Sequence, residues 1–116
     1  MIKANMFYCE KPSIKDYRDM NLTDIIKEYL YTKGTWDNEG NPCNKEVRPD
    51  ELIRSAFWLY ELKDNATNRM NVKYYCEKRA RENLWVRETY GIPRIIIPDD
   101  IWQECNDYNR RMTNRK

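Results

Sequence analysis

A chain of 116 residues, 34% charged and 41% hydrophobic, has room for one compact core under a polar surface. With a mean hydropathy of −1.02, no segment approaches the roughly 20 apolar residues that span a bilayer. The chain has no histidine and a formal net charge of only +2; this excludes histidine-based triads, histidine-ligated metals and strong nonspecific DNA binding by the molecule as a whole.

Residues 2–9 place Ile2, Ala4, Met6 and Tyr8 on one side and predict a short strand ended by Pro12. Ser13 can cap a turn through Ile14, Tyr17 and Met20. From Asn21 to Lys33, Leu22, Ile25, Ile26, Tyr29 and Leu30 recur at helical spacing, and Gly34 supplies a stop. Residues 34–48 hold two of the three glycines and a proline, which predicts a surface loop or loose hairpin. Trp36 in this loop is a candidate recognition side chain; the plainer account tucks it into the core.

Pro49 suits the first position of a second helix, whose apolar face is Leu52, Ile53, Ala56, Phe57 and Tyr60, widened by Trp58 and Leu59. Asp64-Asn65 interrupts it. A third, basic helix is expected from Ala66 or Asn71 to Tyr90, with Gly91 just past its end and Pro93 preventing its resumption. Ile95, Ile96 and Ile97 form a β-branched run between prolines that can pair with residues 2–9. Asp99 or Asp100 caps a last helix, whose Ile101, Trp102, Cys105, Tyr108 and Met112 share a stripe, and a basic tail begins at about residue 110. The expected fold is a mainly α, single-domain bundle of about four helices, with a two-stranded pairing of 2–9 with 95–97.

The N-terminal MIKANMFYCEKP lacks an apolar signal core of about 7–15 residues, so a reducing, cytoplasmic location is expected. The sequons at Asn21 and Asn65 are then chance matches. Cys9, Cys43, Cys76 and Cys105 stand roughly thirty residues apart, without the close pairs that zinc sites use, and are read as reduced packing thiols. The tetrapeptide YCEK occurs at 8–11 and again at 75–78, with flanks too different for a repeat.

Catalytic patterns are weak. Ser13 and Ser55 lie in no glycine-flanked elbow, and Gly34, Gly40 and Gly91 are too scattered to cradle a phosphate. Pro49-Asp50 and Glu61-Leu62-Lys63 match in letters the spacing of the PD-(D/E)xK nucleases. On a single helix, however, Asp50 and Glu61 stand roughly 16 Å apart, too far to share a metal. Residues 37–41 are oxygen-rich but lack the register of a calcium loop, and Asp99, Asp100 and Glu104 fit helix capping better than acid–base chemistry. No enzyme activity, cofactor, metal or small-molecule substrate is expected.

The positive signal lies in residues 69–94, with seven Lys/Arg against three acids, whereas residues 1–64 carry ten against twelve. Lys73, Lys78, Arg79, Arg81 and Arg87, interleaved with Tyr74, Tyr75 and Trp85, combine cations with exposable aromatics. All of these but Tyr75, together with Trp36, form the candidate partner- or nucleic-acid-binding set. The plainer account makes Tyr75, Cys76, Ala80, Leu84 and Trp85 core and the charges a solvated face, supported in part by a Glu77–Arg81 pairing and by Arg81–Glu88 two turns apart. The expected function is a non-enzymatic interaction protein, an accessory inhibitor or adaptor that a viral protein would also fit, docking on a protein partner such as a nucleic-acid-handling complex. Direct nucleic-acid binding by the basic helix is the alternative; a membrane partner is not expected.

Overall fold

The computed structural model describes residues 19–113. Four helices and a small antiparallel sheet alternate in the order α1 (Leu22–Lys33), β1 (Glu46–Val47), a 3₁₀ turn (Pro49–Leu52), α2 (Ile53–Tyr60), α3 (Ala66–Glu82), β2 (Val86–Thr89), β3 (Ile92–Ile96) and α4 (Asp99–Thr113). The mainly α, four-helix expectation holds. Among the described residues, no helix is long and apolar enough to cross a membrane.

Both sequon asparagines turn out to be helix caps. The Asn21 side chain accepts a hydrogen bond from the Asp24 backbone N–H at 3.0 Å, and Asn65 does the same for Asn68 at 2.7 Å. Each satisfies one of the donors that a helix start leaves unpaired. Helix α1 stops where expected, at Gly34 with φ +93°. It buries Leu22, Ile25, Ile26, Tyr29 and Leu30 and packs against α2 and α4.

The second helical span starts at Pro49 as expected but closes before the expected break at Asp64-Asn65. It begins as the 3₁₀ turn and closes at Glu61, in the left-handed region, with the Leu62 N–H reaching back to the Phe57 carbonyl at 3.0 Å. Residues 49–63 are thus a turn and a helix, not the strand pair that the nuclease pattern requires.

The basic helix is eight residues shorter than predicted. It ends at Glu82 in a Schellman closure: the Trp85 N–H donates to the Ala80 carbonyl at 2.8 Å and the Leu84 N–H to Arg81 at 3.1 Å. Leu84 takes the left-handed position at φ +63°, where glycine is usual, so the sequence carried no obvious stop. Beyond this closure the chain forms a hairpin. Tyr90 and Gly91, at φ +55° and +77°, form the two-residue turn between Thr89 and its partner Ile92, both with the positive φ of a type I′ turn.

Strand β3 is the centre of the sheet, in the order β1–β3–β2. Ile95 pairs with Val47 on one side and Val86 on the other; Ile96 faces Glu46. The expected partner of 95–97, residues 2–9, lies outside the described residues, and both edges of Ile95 and Ile96 are taken by β1 and by the chain at 85–86. Pro93, opposite Glu88, needs no donor because β1 does not extend that far.

The row Val47, Ile95, Val86 turns inward, Val47 and Ile95 being fully buried. Arg87, Arg94, Thr89 and Ile92 occupy the opposite, solvent-facing side. Helix α4 buries Ile101, Trp102, Cys105 and Asn106, while Tyr108 and Met112 of the predicted stripe are exposed.

Candidate interaction surface

Helix α3 inserts a narrow stripe, Val72, Tyr75, Cys76 and Ala80, into the core. The Tyr75 hydroxyl donates to the Met20 carbonyl, and the Arg79 guanidinium lies 5.5 Å from the Tyr75 ring centroid. The remaining α3 residues are half-buried or exposed. Met70 and Tyr74, one turn apart, are 71% and 67% exposed, and Leu84 beyond the helix end is 91% exposed.

The cations sort into two kinds. Arg79 pairs with Glu82 at 3.1 Å, Arg81 with Glu88 at 2.6 Å and Arg87 with Glu46 at 2.7 Å. Arg69 holds Asp64 through two bonds of 2.6 and 2.9 Å, and its hydrogen bonding keeps the Asp64 carboxyl below the usual range. Of the two pairings that spacing offered Arg81, the one with Glu88, now on β2, forms in place of the one with Glu77. Lys73, Lys78 and Arg94 have no ion-pair partner among the described residues.

The eight predicted site residues do not form one patch. Lys73, Tyr74, Lys78, Arg79 and Arg81 share α3. Trp85 is off the helix, half-buried and packed against the core, so it offers no open stacking face there. Arg87 sits on the outer side of the sheet, directly opposite Arg94.

Trp36 belongs to a different neighbourhood. Residues 35–43 form a loose hairpin, bridged at Trp36 and Pro42 and closed by the Cys43 N–H on the Thr35 carbonyl at 2.9 Å. The Trp36 ring N–H donates to Asn106 Oδ1 of α4 while the ring remains 43% exposed. It lines a cleft of about 460 Å³ with Asn109, Arg110 and Thr113. Trp36 is thus neither core nor part of the α3 surface.

Sequence reasoning missed Met70, Leu84 and Arg94. Met70 stands four residues before Tyr74, a spacing visible in the sequence. The exposure of Leu84 depends on the unpredicted Schellman closure, and that of Arg94 on the hairpin.

The rejected chemical patterns have structural occupations. Asp37 Oδ1 accepts from the Glu39 and Asn41 backbone N–H groups at 2.9 and 2.8 Å, stabilising its own turn. Asp99 and Asp100 occupy the first turn of α4, where negative charge complements the helix dipole. Among the described residues, no three Cys, Asp or Glu side chains converge as a metal site would need. Cys76 and Cys105 are buried thiols and Cys43 is half-buried; burial pushes the Cys76 thiol up to about 12 and raises the other two.

No protein-family model and no solved structure matches the chain. It is 33% identical over 72 residues to the tRNA-specific 2-thiouridylase MnmA 1 of Thermoanaerobacter pseudethanolicus, a match covering 56% of this chain and 20% of that enzyme. The chain thus spans about a fifth of the length of that relative.

Proposed function

We propose that this protein is a non-enzymatic interaction module, an accessory inhibitor or adaptor, that docks on a protein partner of a nucleic-acid-handling complex through the outer face of α3. The observation that carries this reading is the exposed apolar pair Met70 and Tyr74 beside two lysines, Lys73 and Lys78, without ion pairs among the described residues. An interface of this kind uses apolar anchors at its centre and charge at its rim. The complementary partner surface carries a groove for the Tyr74 ring, flanked by carboxylates.

The local excess of arginine, which first suggested phosphate binding, is largely taken up by Glu46, Asp64, Glu82 and Glu88. Direct nucleic-acid binding is the second reading. It is favoured by the partial likeness to an enzyme named as tRNA-specific.

The test is a pull-down from the native host with and without nuclease, using the wild type, Tyr74→Ala and Lys73→Glu/Lys78→Glu. These side chains are exposed, so the variants stay folded. On the leading reading, Tyr74→Ala abolishes capture of a protein that survives nuclease treatment. On the second, capture vanishes with nuclease, and affinity falls by about 0.9 log units per phosphate contact for each tenfold rise in salt. Nuclease-resistant capture unchanged in both variants refutes the assignment of the α3 face.

A further inference from the structure

Away from α3, the seam between α1 and α2 opens into a cleft of about 730 Å³, within the range of small-molecule sites. One wall is a stripe of α1 that ends in Thr32 and Lys33; the other follows Glu51, Arg54, Ser55 and Trp58 at helical spacing.

Of the three carboxylates along this cleft, Glu51 and Asp50 share one cation, Arg48, and Glu28 has a hydroxyl partner alone among the described residues. Glu51 accepts the Tyr29 hydroxyl and the Arg48 backbone N–H, each at 3.0 Å, and the Arg48 side chain stands 3.6 Å away. Asp50 lies 3.7 Å from the same guanidinium. Glu28 accepts a long hydrogen bond of 3.4 Å from Thr32.

Four groups differ. Lys33 and Arg54 have no ion pair among the described residues. Arg54 feels Asp64 only at longer range, and Arg69 already holds that carboxylate. Ser55 is only 9% exposed and its hydroxyl has no hydrogen-bond partner among the described residues. A buried hydroxyl left this way is costly, which native structures avoid unless a ligand or water completes it. Trp58 presents 74% of its surface to solvent on the rim.

Two uncommitted cations, a buried hydroxyl and an open indole together suit an anion that carries a flat ring. We propose that the α1–α2 cleft binds a nucleotide, its base stacked on Trp58, its phosphate held by Lys33 and Arg54, and a sugar or base polar group completing Ser55. Stacking on tryptophan is tolerant of base identity, so the site recognises the nucleotide class and not one base. The nucleotide can be free or part of a single strand; the chemistry at the cleft is the same.

The test titrates the full chain with adenosine monophosphate, adenosine, inorganic phosphate and a short single-stranded oligoribonucleotide, following tryptophan fluorescence with calorimetry as a second readout. Saturable binding of the monophosphate or the oligonucleotide is expected, with adenosine and phosphate alone each weaker by about tenfold or more, as expected when stacking and charge each contribute. A monophosphate as tight as the oligonucleotide identifies a free nucleotide; a much tighter oligonucleotide identifies a strand.

Trp58→Ala and Arg54→Glu, both at exposed positions, should each weaken binding about tenfold with unchanged melting curves. The α3 variant Lys73→Glu/Lys78→Glu should bind the nucleotide as the wild type does, which separates this site from the protein-docking face. The proposal is overturned if neither phosphate-bearing ligand saturates at millimolar concentration. It is equally overturned if binding persists unchanged in Trp58→Ala and Arg54→Glu.

Discussion

At the scale of single residues, Asn106 is a buried polar side chain on which two neighbouring donors depend. It is almost fully buried on α4, and its Oδ1 accepts both the Thr35 hydroxyl at 2.9 Å and the Trp36 ring N–H. Thr35 is itself buried and takes a further, longer bond from Asn109, which also reaches the Leu30 carbonyl at 3.1 Å. Asn106 thus ties the 35–43 hairpin to α4, and the Asn109 amide ties it to the end of α1. Asn106→Leu keeps the branched shape at a larger volume and removes the acceptor, leaving two donors unpaired. A loss of about 1–3 kcal/mol is expected, which for a domain of this size lowers Tm by about 4–8 °C per kcal/mol. Calorimetry that finds Asn106→Leu as stable as wild type would show that water replaces the lost acceptor. By contrast, Trp36→Phe loses one donor and keeps an aromatic ring, though a smaller one, at a part-exposed site, so it should cost less. The Trp36 contact was not legible in the sequence, because it joins residues 70 positions apart and neither carries a pattern that announces the other.

At the scale of elements, what could be read was what local spacing determines. The apolar register of 22–33 with its glycine stop, the proline start of the second span and the stripe of 101–105 all survive in the structure. What could not be read was set by backbone conformations that the residues do not favour. Leu84 and Tyr90 adopt positive φ without being glycine or asparagine, and between them they convert the predicted last two turns of the basic helix into a strand and a turn. That moved Trp85 and Arg87 off the candidate surface. A left-handed leucine costs roughly 1 kcal/mol, so Leu84→Gly should stabilise the fold by about that amount in urea titrations. The same substitution removes an exposed apolar side chain at the end of the proposed docking face. A variant that is more stable yet weaker in partner capture would mark Leu84 as retained for binding; lower stability would mean its side chain packs where the structure leaves it exposed. At the other end of the helix, Asn65→Ala removes the cap on Asn68 and should cost about 1 kcal/mol. Asn65→Asp, which keeps the acceptor, should cost little.

At the scale of the whole molecule, the absence of histidine shapes the response to pH. No side-chain type present has an ordinary pKa between the carboxylates and the thiols, so stability should be nearly level around neutrality. The alkaline edge arises from burial. Desolvation raises Cys76 to about 12 from an ordinary 9.0, and Tyr29 to about 12 from 10.0, the latter with help from its bond to Glu51. Cys43, Cys105, Tyr60 and Tyr75 shift the same way for the same leading reason. In each case the folded state holds its proton after the unfolded chain has released it. The unfolded state then binds fewer protons, and the free energy of unfolding falls as pH rises. The contribution of each group is complete below its unfolded value and is lost as pH climbs from about 9 toward 12. On the acid side the sign reverses. Glu51 is lowered because the Arg48 backbone N–H, the Tyr29 hydroxyl and the Arg48 charge together outweigh its desolvation. Its contribution is present above the unfolded carboxylate value and lost as pH falls through the folded one. Urea midpoints measured across the pH range should therefore trace a flat top with two shoulders. Because Cys76 lies in the core and burial is what holds its proton, its replacement by Ala should lower the plateau through the lost packing and yet make the alkaline shoulder shallower. A shoulder unchanged in Cys76→Ala, or a slope through neutral pH in the wild type, would show that other groups govern the titration.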